Sequence, residues 1–171
     1  MVKDIVLGAG CFWGVQAAFN LLEGVQRTSV GYCGGHQPNP TYEEVCQKTT
    51  GHIEVVKITF SCEQLTIEDV LTVFFHIHDP TQKNGQANDI GPQYMSAIFC
   101  DEVDKNDIQN FIRQISPKFD AKIVTLVQEY KTFYPAEDYH QEYLTKNPSG
   151  YCHINMARVK EFLEFQQYRL K

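Results

Sequence analysis

The order of apolar and polar residues divides this chain into alternating strand and helix segments. Residues 4–10, Asp4-Ile5-Val6-Leu7-Gly8-Ala9-Gly10, form a short apolar run closed by glycines, which predicts a buried strand over 4–8. Val15, Ala18, Phe19 and Leu22 then recur at helical spacing and predict a helix over 13–22, followed by a strand over 25–32. After a Gly/Pro loop at 33–41, residues 53–60 alternate. Glu54, Val56, Ile58 and Phe60 share one face of that strand, and Lys57 and Thr59 mark the wetter one. A helix over 67–78 opens with the Thr66 hydroxyl cap and the early acids Glu68 and Asp69, and Asp79-Pro80 stops it. The loop at 79–95 is long for a compact domain and holds the turn signals Asn84-Gly85 and Gly91-Pro92; it reads either as a functional loop or as a surface excursion. A strand over 96–100, a helix over 104–115, a strand over 122–128, a helix over 136–145 and a tail complete the order, with a helical turn or two near 161–166. This mixed order predicts an α+β fold, with helices packed on a mostly antiparallel sheet.

Composition narrows the class. The 171 residues suit a single domain, 1–171, whose core needs no staples. A net charge of −6 is the wrong sign for a nucleic-acid footprint, and no apolar stretch reaches membrane-spanning length. Met1-Val2-Lys3-Asp4 runs straight into a strand, unlike a secretory signal, so the expected location is cytoplasmic. In that reducing compartment the six cysteines default to thiols, and no C-x-x-C pair occurs. His76-Ile77-His78 and Cys152-His153 lack partner spacing, so no metal site is expected. Gly8-Ala9-Gly10-x-x-x-Gly14 is one residue too long for a dinucleotide fingerprint, and Phe12 and Trp13 would block approach to a pyrophosphate.

The candidate chemistry centres on Cys11, which lies where a strand turns into a helix. Unpaired N–H groups and the helix dipole favour a thiolate there. Phe12 and Trp13 can wall an apolar pocket beside its sulfur. Glu54, heading an apolar strand face, is a general acid if desolvated and an ordinary solvated strand-end residue if not. Tyr42, closing the rigid Pro38-Asn39-Pro40-Thr41 turn, reads as a hydrogen-bond donor or a packing residue. Tyr139, His140 and Tyr143 either face a site or, for the two tyrosines at i, i+4, form a core stripe. Cys152, on the turn-rich segment after Asn147-Pro148, is a thiol able to reach a sulfenic acid elsewhere, or merely a tail cysteine.

Together these segments resemble the A-type peptide methionine sulfoxide reductases. The similarity runs through Gly10-Cys11-Phe12-Trp13-Gly14, Gly34-Gly35-His36 with Pro38-Asn39-Pro40-Thr41-Tyr42, and Gly51-His52-Ile53-Glu54-Val55-Val56. It continues in Asn88-Asp89-Ile90-Gly91 with Gln93-Tyr94, in Pro135-Ala136-Glu137-Asp138-Tyr139-His140-Gln141, and in Asn147-Pro148 with Gly150-Tyr151-Cys152. These blocks span residues 8 to about 153 in order. The resemblance implies a two-layer fold with a ferredoxin-like core and reduction of the S epimer of methionine sulfoxide, free or in proteins. Cys11 would be the nucleophile. Glu54 would be the acid, helped by Tyr42 and Tyr94, and Phe12 and Trp13 would hold the ε-methyl group. Asp89 and Tyr143 would complete the substrate site. Cys152, within the 146–171 segment, would be the resolving cysteine. The resemblance also implies a Cys11–Cys152 disulfide reduced by thioredoxin and no metal or organic cofactor; charge and hydropathy lead us to expect no nucleic-acid or membrane partner, and a monomer is expected.

Three features depart from common family patterns. No cysteine follows Cys152, which points to a single internal disulfide handed directly to thioredoxin. Ala87 and Met95 stand where a glycine and a basic residue are frequent. A thiol peroxidase also cycles through a sulfenic acid but needs neither an aromatic cage nor a protonated Glu54. A redox sensor would form a disulfide without turnover, and a module binding oxidised peptides would not need Cys11.

Overall fold

The computed structural model describes residues 1–171. Its elements are β1 (Val2–Gly8), α1 (Phe12–Asn20), β2 (Val25–Cys33), α2 (Tyr42–Cys46), β3 (Ile53–Ser61), α3 (Ile67–His76), β4 (Gly85–Gln86), β5 (Asp89–Ile90), β6 (Ala97–Cys100), α4 (Glu102–Ile115), β7 (Leu126–Glu129), β8 (Tyr134–Pro135), α5 (Tyr143–Lys146) and α6 (Met156–Phe165). Six strands form one sheet in the order β7-β6-β1-β3-β2-β8, antiparallel throughout except for the parallel β6–β7 edge. Its centre, β6-β1-β3-β2 connected as β1-α1-β2-β3-α3-β6, is the ferredoxin-like arrangement. The expected α+β class, core and mostly antiparallel sheet are thus present.

Strand alternation sorts the core. Ile5, Leu7, Val30, Tyr32, Val56, Ile58 and Phe60 point to the helical layer and meet Val15, Ala18, Phe19 and Leu22 of α1, the face read from the sequence, together with Val70, Leu71 and Phe74 of α3. Val6, Cys33, Val55 and Phe99 point the other way into a smaller cluster, against which Leu126 and Phe133 pack in place of a helix. No helix is long and apolar enough to cross a membrane.

Three expectations change. The helix over 136–145 is a 3-10 turn at Asp138–His140, a left-handed Glu142 (φ 54°) and the single turn α5. Tertiary bonds outweigh local helix here. The Glu142 N–H donates to Gln16 Oε1 at 2.9 Å, and its carboxylate accepts from Gln16 Nε2 at 3.1 Å and Asn20 Nδ2 at 2.8 Å. The Gln141 amide meanwhile bonds both the N–H and the carbonyl of Val30, extending the sheet with a side chain. Second, the strand over 122–128 narrows to β7, because Val124 N–H donates instead to the Pro80 carbonyl. Third, the tail holds a full helix, α6, capped by Asn155 accepting from the Arg158 N–H, with Val159 and Leu163 buried. Beyond it the chain is stitched to the end of α1: Glu23 N–H donates to the Arg169 carbonyl at 2.8 Å and Lys171 N–H to the Leu21 carbonyl at 2.9 Å.

Ala87 opens the two-residue turn between β4 and β5 with φ 51°, a left-handed conformation that disfavours any Cβ. Ala87→Gly is expected to stabilise the protein by about 0.5–1 kcal/mol, read as a raised urea midpoint at unchanged m-value.

Candidate active site

Gly10 (φ 91°) turns the end of β1 into α1 where little else fits, since a Cβ there would meet Gln86 Cβ at 2.8 Å and His153 Nε2 at 2.9 Å. The turn delivers Cys11 as the N-cap of α1, 8% exposed. The helix terminus does not dominate its thiol, contrary to the expectation of a thiolate. Burial first, then the neighbouring Glu54, push the thiol well above its usual range, and the backbone N–H of Trp13 opposes them only in part.

Glu54 lies on the core face of β3 and is 1% exposed. Its Oε1 accepts from the Phe12 N–H at 3.3 Å, one of the free donors of the first turn of α1, while Oε2 is buried with no partner. Burial, opposed by that N–H and reinforced by Asp89, pushes the carboxyl up to about 8, so at neutral pH it holds a proton.

Two phenols share this space. Tyr42 opens α2, which is started by a Thr41–Glu44 capping box. Its backbone N–H donates to Glu137 Oε2 at 2.9 Å, while Glu137 Oε1 accepts from the Tyr32 hydroxyl at 2.9 Å. Burial raises the Tyr42 hydroxyl, followed by the Cys46 thiol one helical turn away and by Glu54. Tyr94 is raised by burial and then by Glu54, with Asp89 and Cys11 also near.

Aromatic rings form the remaining wall. Trp13 stacks on Tyr143 at 3.7 Å, tilted by 9°, and its Nε1–H donates to His140 Nδ1 at 3.0 Å. Phe12 lies 5.1 Å and Tyr42 4.5 Å from the His140 ring, centroid to centroid. Tyr139 instead edges over His140 into solvent, 52% exposed. Asp89 of β5 accepts from the Tyr151 hydroxyl at 2.9 Å. Cys152 is half-buried, its thiol donating to the Ile154 carbonyl at 3.2 Å, and its Sγ lies 3.0 Å from where a Cβ on Gly14 would stand. All six cysteines are free. Every candidate side chain (Cys11, Phe12, Trp13, Tyr42, Glu54, Asp89, Tyr94, Tyr143 and Cys152) therefore gathers around the first turn of α1.

A buried protonated carboxyl and a cysteine facing an aromatic wall suit reduction of a small apolar group that carries an oxygen. The family model described as peptide methionine sulfoxide reductase matches residues 3–170. The chain belongs to this family. Its peptide methionine sulfoxide reductase relatives include MsrA of Alkaliphilus metalliredigens, 49% identical over 91% of this chain and 99% of that protein. MsrA of Methanothermobacter thermautotrophicus is 50% identical over 89% of this chain and 92% of that protein. Among solved structures, reduced Mxr1 of Saccharomyces cerevisiae is 34% identical with a TM-score of 0.84, covering 88% of each chain. Methionine sulfoxide reductase A of Corynebacterium diphtheriae is 36% identical with a TM-score of 0.83, covering 89% of this chain and 78% of that one.

Among the residues gathered here, sequence reasoning missed Glu137, Tyr151 and Cys46. Glu137 and Tyr151 act through partners more than 60 residues away, which no local pattern reveals. Cys46 is half-buried one turn from Tyr42 on a helix too short to announce itself. Its i, i+4 spacing from Tyr42 was the available signal. Cys33 is fully buried in the smaller cluster, and burial raises its thiol to about 11.

Proposed function

We propose that this protein reduces the S epimer of methionine sulfoxide, free or in proteins, through a Cys11 sulfenic acid and a Cys11–Cys152 disulfide. One observation carries the reading: beside Cys11, a buried Glu54 is anchored by one oxygen and keeps the other unpartnered. A sulfoxide is a poor electrophile until its oxygen is protonated or strongly hydrogen-bonded, so a neutral carboxyl at that oxygen stabilises the transition state. Cys11 sulfur attacks the sulfoxide sulfur, the Glu54 proton passes to oxygen, and the Cys11 thiol proton restores Glu54. The S–S bond of the resulting adduct and the bond from methionine sulfur to oxygen then break as the oxygen moves to Cys11, leaving a sulfenic acid and methionine. Tyr42 and Tyr94, both protonated, supply further donors to the oxygen. Phe12 and Trp13 hold the methyl group, and the Trp13 indole is fixed by Tyr143 and His140. Asp89, tied to Tyr151, shapes the approach.

Cys152 then condenses with the sulfenic acid and releases water. An external dithiol resets the pair by exchange. We assign thioredoxin to that role; yeast Mxr1 has been solved in complex with Trx2. The electrons come from thiols alone, and we assign the chain to the cytoplasm as one catalytic domain, 1–171, working as a monomer, with 146–171 carrying the resolving cysteine.

Turnover of separated sulfoxide epimers, as blocked amino acids with thioredoxin regeneration, is expected for the S epimer only; turnover of neither epimer by folded protein removes the reading. Cys152→Ser is expected to release one methionine per protein and then stop under thioredoxin. Sustained turnover in that variant moves the resolving role to another thiol.

A further inference from the structure

The Cys152-His153 pair, without metal-ligand spacing in the sequence, supplies the site with a group that the scheme above leaves idle. His153 Nε2 bonds the Ala9 carbonyl at 2.9 Å, two residues before Cys11. A carbonyl only accepts, so the hydrogen sits on Nε2 and Nδ1 carries a bare lone pair. That Nδ1 is shut off from solvent and has no hydrogen-bond partner. An orphaned buried acceptor calls for a reason. It lies over Gly14, 3.5 Å from the position a Cβ would take, and Cys152 Sγ lies 3.0 Å from the same point. The first turn of α1 thus bears a thiol and an unused base on one side.

We propose that His153 is the base of the resolving step, taking the Cys152 thiol proton on Nδ1 as the sulfur attacks Cys11 sulfenic acid. This rests on the roles given above to Cys11 and Cys152. The S–S bond forms and the Cys11 S–O bond breaks. The departing hydroxide takes the proton from Nδ1, leaving water and a neutral imidazole. Cys11 sulfur is reduced and Cys152 sulfur oxidised, with no further reactant. The step needs such a base. Burial pushes the Cys152 thiol above its usual range, and its present acceptor, the Ile154 carbonyl, cannot carry a proton away. The titratable groups around His153 are Asp89 on β5, His78 beyond the end of α3, and the Cys152 thiol. Burial lowers the imidazole below its ordinary range against the pull of the Ala9 carbonyl and Asp89, so it is a free base at neutral pH.

The test mixes reduced protein with excess blocked methionine S-sulfoxide and no external reductant. Methionine release and the Cys11–Cys152 disulfide, the latter by peptide mass, are followed separately across pH. His153→Gln keeps an amide N–H able to reach the Ala9 carbonyl but has no base. It is expected to release methionine at the wild-type rate, to form the disulfide at least tenfold more slowly, and to lose the fall in that rate at acid pH. Added imidazole is expected to restore the rate in His153→Ala. A wild-type disulfide rate and pH profile in His153→Gln overturn the inference and leave His153 a mere pin. Wild-type protein that releases methionine without this disulfide overturns the Cys152 assignment, and this inference with it.

Discussion

A Cys11→Ser variant is expected to release no methionine from either sulfoxide epimer, a loss of at least about 10³-fold against wild type in a single-turnover assay. Oxygen is far less nucleophilic than sulfur toward a sulfoxide sulfur, and the product would need an O–O bond in place of a sulfenic acid. The exchange removes little volume at a position 8% exposed, so the folded state should persist with a change in stability of about 1 kcal/mol. Near-UV circular dichroism from Trp13, stacked on Tyr143, reports whether the site is intact. Appreciable turnover with that signal unchanged removes the thiol mechanism entirely.

Glu54→Gln separates chemistry from binding. The amide keeps the shape and can still accept from the Phe12 N–H, but it has no proton to transfer. Single-turnover methionine release is expected to slow by about 10²–10⁴-fold with little change in substrate affinity. The pH profile sharpens this. The proposed mechanism needs Glu54 protonated, so the wild-type rate should fall as pH rises through about 8, and the variant should lack that limb. Stability falls over the same rise in pH. The folded carboxyl binds its proton more tightly than the unfolded one, ordinarily near 4.5. Its contribution is therefore full below that value and lost as pH climbs through about 8. Above pH 8 the variant should melt higher than wild type while remaining the poorer catalyst, the trade expected of a charge buried for function. Equal melting temperatures at pH 9 would place Glu54 in solvent.

The strands and α1 were legible because burial is written into periodicity. Val15, Ala18, Phe19 and Leu22 announced their face, and alternation in β3 assigned Glu54 to the same side as Val56, Ile58 and Phe60. The failures share a cause. Residues 136–145 carry good helix formers, but Gln141 and Glu142 find better partners on Val30, Gln16 and Asn20, contacts that depend on distant chain. Within the site, the placement of Cys11 between strand and helix was readable, whereas its raised thiol was not. That shift comes from burial and from Glu54, 43 residues away, and it overrides the local helix terminus.

The C-terminal stitching has a consequence for timing. Cys152 sits on a short span fastened at both ends to the helix that presents Cys11: upstream through Glu142 and Tyr143 against α1, and downstream through α6 and the bonds of Arg169 and Lys171 to the residues just after it. A thiol held by such a double tether samples its target at an effective concentration in the millimolar range or above, about what short linkers confer. A freely diffusing thiol must reach comparable levels before it meets Cys11 as often, so in the proposed cycle closure of the Cys11–Cys152 disulfide is favoured over capture by any thiol present at lower concentration.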